Sequence, residues 1–462
     1  MPSRTARPDS AQRGFSILEL LVSMLIAIEV LVAAAIAFDV HNHLATVQTQ
    51  VTDLQQSLRV AQYDMTRLVR MAGRGGLPVE LHPEATFVPG PPATGLGGFA
   101  IELRNNVDDA SDRNIARGDS DSPLAVEGTD ILAVRGCFAS PIFQLAQGSI
   151  VYDPTDPTVA QLPVPNVSSA NIRQPLEPLC EELRNVTRPA MILLSPEALS
   201  VYGIVEVTGH DCPASGAPGT TVNLQLKLDT NSPLNPVNPA TGLRVYPPNM
   251  EVALGCMLEE YRYFVREVRE DPADPTSELR PRLTRARFKP GTEDPYNDDD
   301  QNFALDLADG VFDLQVALGL DTDYPSTNTT TPGSFDDDSD YSNDTNDEVI
   351  YEGTVAGNDR NTDDWLFNDP DDDPDQIRYR EHQFTTRVGQ PVNLHFVRIT
   401  TLARTSRGDR KYRAPDIDPD PGRDLVEDHD YTQAPADDFL SERNRRFRRR
   451  ALTTIVEPRN LQ

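Results

Sequence analysis

The sequence predicts an α+β protein, with one long N-terminal α-helix packed on an antiparallel β-sheet head that carries long acidic loop insertions. Three observations predict it. Residues 15–38 read FSILELLVSMLIAIEVLVAAAIAF, an apolar run with two charges, Glu19 and Glu29. Leu44, Val47, Val51, Leu54, Leu58, Ala61, Met65 and Leu68 then recur at spacings of three and four, the mark of a helix buried along one side. Beyond residue 78 that periodicity gives way to short runs of Val, Ile, Leu, Phe and Tyr between turn residues, the pattern of strands.

Composition bounds the function. The 462 residues hold 72 Asp and Glu against 42 Lys and Arg, a formal net charge of −30. Phosphate affinity comes from clustered Lys and Arg, so the balance argues against a general nucleic-acid binder. It also argues against a chain lying broadly on an anionic membrane surface.

Residues 1–14 form a short basic leader with Arg4, Arg7 and Arg13 against Asp9. The 24 residues that follow are enough to span a bilayer as a helix. The positive leader places the N-terminus in the cytoplasm and everything past residue 38 outside the inner membrane. Two ways of processing compete. One is a secretory signal peptide cut after Ala35-Ile36-Ala37. Against it stands Glu19, because a carboxylate this deep in an apolar run costs a few kcal/mol and marks a functional position.

Arg13-Gly14-Phe15-Ser16-Ile17-Leu18-Glu19, followed by LLVSMLIAIEVL, resembles the class III signal of type IV prepilins. The resemblance implies cleavage by a prepilin peptidase between Gly14 and Phe15, and N-methylation of Phe15. It implies that Glu19 neutralises the N-terminal ammonium of a neighbouring subunit in the filament. A carboxylate in such a bundle is tolerable when it gains an opposite charge. Glu29 departs from the usual pattern. It lies about 80° round the helix from Glu19, and either meets a polar group of another subunit or sits near the periplasmic boundary.

No proline interrupts residues 15–71, so one helix of about 57 residues is expected, with two helices and a kink as the alternative. Its second half should bury the apolar stripe under the head. Gly73, Gly75 and Gly76, then Pro78, end it. The segment Leu68-Val69-Arg70-Met71-Ala72-Gly73-Arg74-Gly75-Gly76 resembles the helix end of PilW-type minor pilins, with Leu77 and Pro78 where a cysteine often follows in that family. No strand precedes the glycines and no Lys-Ser/Thr follows, which argues against a phosphate loop.

In the head, strands are expected at 99–103, 130–135, 149–152, 190–194, 201–208, 221–228, 260–268, 311–318 and 392–404. The alternation in VNLQLKL (222–228) predicts one wet face. Three segments extend the resemblance to PilW-type proteins: residues 307–323 around Asp313-Leu314-Gln315, residues 392–405, and residues 449–456 with Arg459-Asn460. The family's Gly-Asp-Gly after the first is replaced here by Tyr324-Pro325.

Cys137, Cys180, Cys212 and Cys256 form no C-x-x-C, and an even count in an extracytoplasmic head suggests two disulfides with three possible connectivities. Sequential pairing, Cys137–Cys180 and Cys212–Cys256, is the one favoured. Acidic residues concentrate at 293–300, 336–347, 369–375 and 416–430. Asp336, Asp338, Asp340, Asp344 and Asp347 stand at five EF-hand ligand offsets, yet Tyr341 occupies the glycine position and Asp347 is too short for the bidentate Glu. Solvated insertions are the favoured reading, and a weak Ca²⁺ site is the alternative. No other cofactor is expected. Six arginines fall within residues 443–450, with Phe447 as the sole aromatic neighbour, so ion pairs with acidic loops are favoured over DNA contact. The seven histidines form no H-E-x-x-H and no G-x-S-x-G occurs, which gives no support to catalysis.

The expected organisation is a removable leader (1–14), a transmembrane and filament-core helix (15–38), its amphipathic continuation (39–72), and a β-rich head (73–462) with insertions at about 290–302, 321–376 and 414–438. The resemblance implies a pilin-like fold and a non-enzymatic minor pilin that primes pilus assembly at or near the tip. Its implied partners are prepilin peptidase, other minor pilins, the major pilin and a tip adhesin. It would sit in the inner membrane before assembly and in the pilus or periplasm after it. A type II secretion pseudopilin and a Ca²⁺-stabilised adhesin head are the alternatives.

Overall fold

The computed structural model describes residues 16–74 and most strands and turns between 100 and 458. Residues 1–15, 75–99, 108–123, 166–175, 195–201, 213–220, 236–241, 244–250, 297–303, 322–363, 368–384, 414–424, 431–445, 459–462 and several shorter stretches lie outside that description.

One uninterrupted helix, α1, runs Ile17–Arg70, as the absence of Pro and Gly between those residues allows. It ends where expected. Gly73 takes a φ of 72°, the left-handed conformation that suits glycine. Its N–H leaves the helix and donates to Arg135 O (3.0 Å), and Cys137 N donates to Arg74 O (2.8 Å). A side chain on Gly136 would meet Met71 O at 3.2 Å, so that glycine permits this close approach.

The chain divides into two compact units, Met1–Asp53 and Leu54–Gln462. The described part of the first is helix alone. In the second, Leu54, Leu58, Ala61, Met65, Leu68 and Val69 of α1 are buried. Burial of the stripe starts at Leu54, and Leu44 remains exposed, which corrects the expectation that the stripe is covered from its beginning.

The strands follow in chain order. They are β1 (Ile101–Val107), β2 (Thr129–Gly136), β3 (Phe143–Ser149), β4 (Val151–Tyr152), β5 (Val159–Pro165), then a short helix α2 (Leu176–Asn185). Next come β6 (Ala190–Leu194), β7 (Tyr202–Asp211), β8 (Thr221–Leu228), β9 (Glu251–Met257), β10 (Glu259–Arg269) and β11 (Leu279–Phe288). After these stand β12 (Ala304–Asp309), β13 (Val311–Asp321), β14 (Asp364–Phe367), β15 (Thr385–Thr386) and β16 (Gln390–Pro391). The last are β17 (Asn393–Arg404), β18 (Leu425–Val426), β19 (His429–Asp430) and β20 (Arg449–Val456).

These strands build three sheets, all with antiparallel pairing. Their orders are β1-β2-β10-β11-β12, β14-β13-β17-β20 and β3-β9-β6-β7-β8-β5-β4, beside two short ribbons, β15-β16 and β18-β19. The single sheet implied by the sequence reading is thus three. The α1 stripe packs on the first two sheets in one core with Leu132, Val134, Val265, Leu314, Val316, Val397, Ile399 and Val456. A second core joins α2 to the seven-stranded sheet through Leu179, Leu183, Val205, Leu224 and Leu226. The alternation read in β8 holds: Leu224, Leu226 and Leu228 are buried, while Asn223 and Lys227 are exposed.

The disulfides are Cys137–Cys256 and Cys180–Cys212, which corrects the sequential pairing. Sheet order is the reason. β10 lies against β2 with Glu259 opposite Gly136, so Cys137, one residue past β2, comes level with the β9–β10 junction beside Cys256. Cys180 lies on α2 and Cys212 follows β7, both against the second core.

Candidate functional site

The first candidate is the N-terminal stretch of α1. Every Leu, Ile, Val, Met and Phe from Ile17 to Phe38 is more than half exposed within the chain. There are fourteen of them, and at roughly 1.5 kcal/mol or more each, leaving them in water forgoes on the order of 20 kcal/mol. A patch of this size marks a surface built for lipid or for other helices. This is one helix long and apolar enough to cross a membrane. Glu19 and Glu29 are its two charges up to Phe38.

Glu19 has a local role that the sequence reading missed. Leu18 N donates to Ser16 Oγ, and Ser16 N donates to Glu19 Oε2, both at 3.3 Å. This is a capping box, legible in Ser16-x-x-Glu19, which satisfies two amide donors that the first turn leaves open. The carboxylate is therefore turned toward the N-terminal end of the helix, where the macrodipole favours negative charge. Gly14 and Phe15, the expected cleavage and methylation positions, lie outside the described residues, and Glu29 is exposed.

The second candidate region is the polar framework of the head. Asp64 of α1 accepts two bonds from Arg285 Nη1 (2.8 and 2.9 Å) and one from the Tyr263 hydroxyl (2.9 Å). Burial, then the Asp64 charge, pushes the Tyr263 hydroxyl well above its usual range, so it stays a donor. Gln62, a polar residue in the midst of the stripe, is buried and ties α1 to β20. Its Nε2 donates to Leu452 O (2.6 Å), and Thr454 Oγ1 donates to its Oε1 (2.7 Å). On the opposite face of the five-stranded sheet, Arg135 donates to Glu102 and Glu260, and Arg262 donates to Glu260, all four residues being buried.

The Asp313-Leu314-Gln315 segment joins two sheets. Gln315 Nε2 donates to Gly128 O and to Asp313 Oδ1, both at 2.9 Å, and Val316 N donates to Asp130 Oδ2 at 2.7 Å. Those residues hold β13 against the turn that enters β2. They are structural positions.

Asp336, Asp338, Asp340, Asp344 and Asp347, the Ca²⁺ candidates, lie outside the described residues. Among the described residues no group of three or more His, Cys, Asp or Glu could hold a metal ion. In the basic tail Arg448 pairs with Asp409 (3.2 Å) and stacks on Tyr412 (4.2 Å), and Arg404 stacks on Phe447 (4.7 Å). Arg446 and Arg450 are exposed. No protein family, curated protein or solved structure matches the chain.

Proposed function

We propose that the chain is a PilW-type minor pilin of a type IV pilus. In this reading a prepilin peptidase cuts between Gly14 and Phe15 and the new N-terminus is methylated. The helix then holds the subunit in the inner membrane until it joins other minor pilins and the major pilin at or near the tip. One observation carries the reading. The prepilin-like segment ending at Glu19 opens a helix whose apolar surface is exposed on every side, and the same helix continues into a head that buries only its later stripe. Entry into a filament would bury that apolar surface against equivalent helices, with the Glu19 carboxylate offered at the N-terminal end.

Replacing Glu19 tests this. Glu19→Ala is expected to leave the protein in the membrane fraction and to remove it from sheared pili. Glu19→Gln separates charge from capping, since the amide oxygen still accepts from Ser16 N. The proposal expects Gln to fail as Ala does. Incorporation of both variants at the parent level would sink the role given to this carboxylate.

A further inference from the structure

We propose that β20 is an interaction edge at which a second copy of this chain pairs antiparallel, strand to strand. The argument starts from the ladder. β20 closes one end of the four-stranded sheet and pairs with β17 in continuous register, from Val397 opposite Val456 to Arg404 opposite Arg449. Thr405 N donates to Arg448 O at 2.9 Å, which fixes that pair as hydrogen-bonded. Such pairs recur at every second residue of an antiparallel ladder. Residues 450, 452, 454 and 456 therefore bond to β17, and Ala451, Thr453 and Ile455 aim their N–H and C=O groups at the open side.

Open edges are usually blunted by shortness, bulges, proline or charge. The other described edges follow that rule. β1, β3 and β12 each sit beside a shift in register. β4 has two residues and β14 has four. Among the described sheet edges β20 alone runs eight residues without a bulge, and its last six, ALTTIV, carry no charge. Ile455 is 53% exposed on it.

Its sequence fits itself. In a two-fold pair centred on Thr453, the residues with outward backbone groups meet one another. Thr453 faces the partner's Thr453, and Ala451 faces the partner's Ile455, a small side chain against a large exposed one. Arg449 comes level with the partner's Glu457, an exposed carboxylate just past the strand. Threonine pairs, apolar pairs and opposite charges are all favourable across strands, whereas parallel in-register pairing would set arginine against arginine. The symmetry is that of an isologous dimer, and the two four-stranded sheets become one of eight strands.

This inference does not depend on the function proposed above. Cysteine cross-linking of the full chain in its membrane tests it. All four native cysteines are in disulfides, so an introduced cysteine is the one free thiol. Facing residues of such a pair have Cα atoms about 5.5 Å apart, within reach of a short bis-maleimide. Thr453→Cys is expected to give a covalent dimer of twice the chain mass. A mixture of Ala451→Cys and Ile455→Cys chains should give the mixed dimer, which checks the register with different variants. Leu305→Cys, exposed on β12, should stay monomeric. Monomer from Thr453→Cys, with the thiol still labelled by a monofunctional maleimide, would overturn the proposal. So would equal dimer from Leu305→Cys, or a conjugate with a protein of different mass, which would give the edge to another partner.

Discussion

Glu260 offers the strongest test of how the head is held together. It is fully buried, with Arg135 Nε donating to one oxygen (2.7 Å) and Arg262 Nε to the other (2.6 Å). Burial alone would raise its pKa, but the charges of Arg135 and Arg262 outweigh it and hold the carboxyl at about 2, against 4.5 ordinarily. That difference corresponds to about 3 kcal/mol of stability. Removing one member of a buried ion pair costs a similar amount, roughly 3–5 kcal/mol, because the remaining charge is stranded. Glu260→Gln keeps the shape but removes the buried charge that Arg135 and Arg262 share, leaving Glu102 as the carboxylate on Arg135, so a loss of about 3 kcal/mol at pH 7 is expected in urea unfolding followed by the circular dichroism of the sheets. The pH dependence has a definite sign. A lowered folded pKa gives stability that is complete above pH 4.5 and is lost as pH falls toward 2. Parent and variant should therefore converge across that window. A loss below about 1 kcal/mol at pH 7, or a difference unchanged down to pH 2, would refute the reasoning.

Three further predictions concern the backbone and the cross-links. Gly310 has a φ of 78°, and a side chain there would meet Arg404 O at 2.5 Å, so Gly310→Ala should destabilise the head by about 2 kcal/mol or more in the same assay. A cost under ~0.5 kcal/mol would mean that the turn between β12 and β13 is looser than described. Peptide mapping without reduction should recover Cys137 joined to Cys256 and Cys180 joined to Cys212. Losing the first should cost more, about 1 kcal/mol beyond the second, because it closes a 119-residue separation against 32. Recovery of sequentially paired peptides would refute the sheet order that brings these residues together.

Local chemistry was legible where it decided the structure. An apolar run without Gly or Pro gave α1, Gly73 stopped it, and alternation gave β8 its two faces. Strand β11 was missed because LRPRLTRARF looks solvated; its arginines are instead satisfied laterally. Arg282 meets Asp306 and Asp309, Arg285 meets Asp64, and Arg287 meets Glu259 and the ring of Tyr296. The strand expected at 260–268 is β10 to within one residue at each end, and its adjacent buried carboxylates Glu259 and Glu260 make sense only with arginines from β2 and β11 in place. The disulfide pairing and the three-sheet order rest on contacts between residues far apart in sequence, which spacing along the chain does not encode. For the candidate site the sequence pointed to Glu19, while its capping partnership with Ser16 went unread although the four-residue pattern carries it.

The mature N-terminus is the feature on which the proposed function turns, and mass spectrometry of the protein isolated from membranes or pili reads it. N-methyl-Phe15 as the first residue, with residues 1–14 absent, is the expected result. A chain that begins at Phe38, cut after Ala37, would contradict it, because α1 would then lose Glu19 and the whole apolar segment that the assembly reading requires.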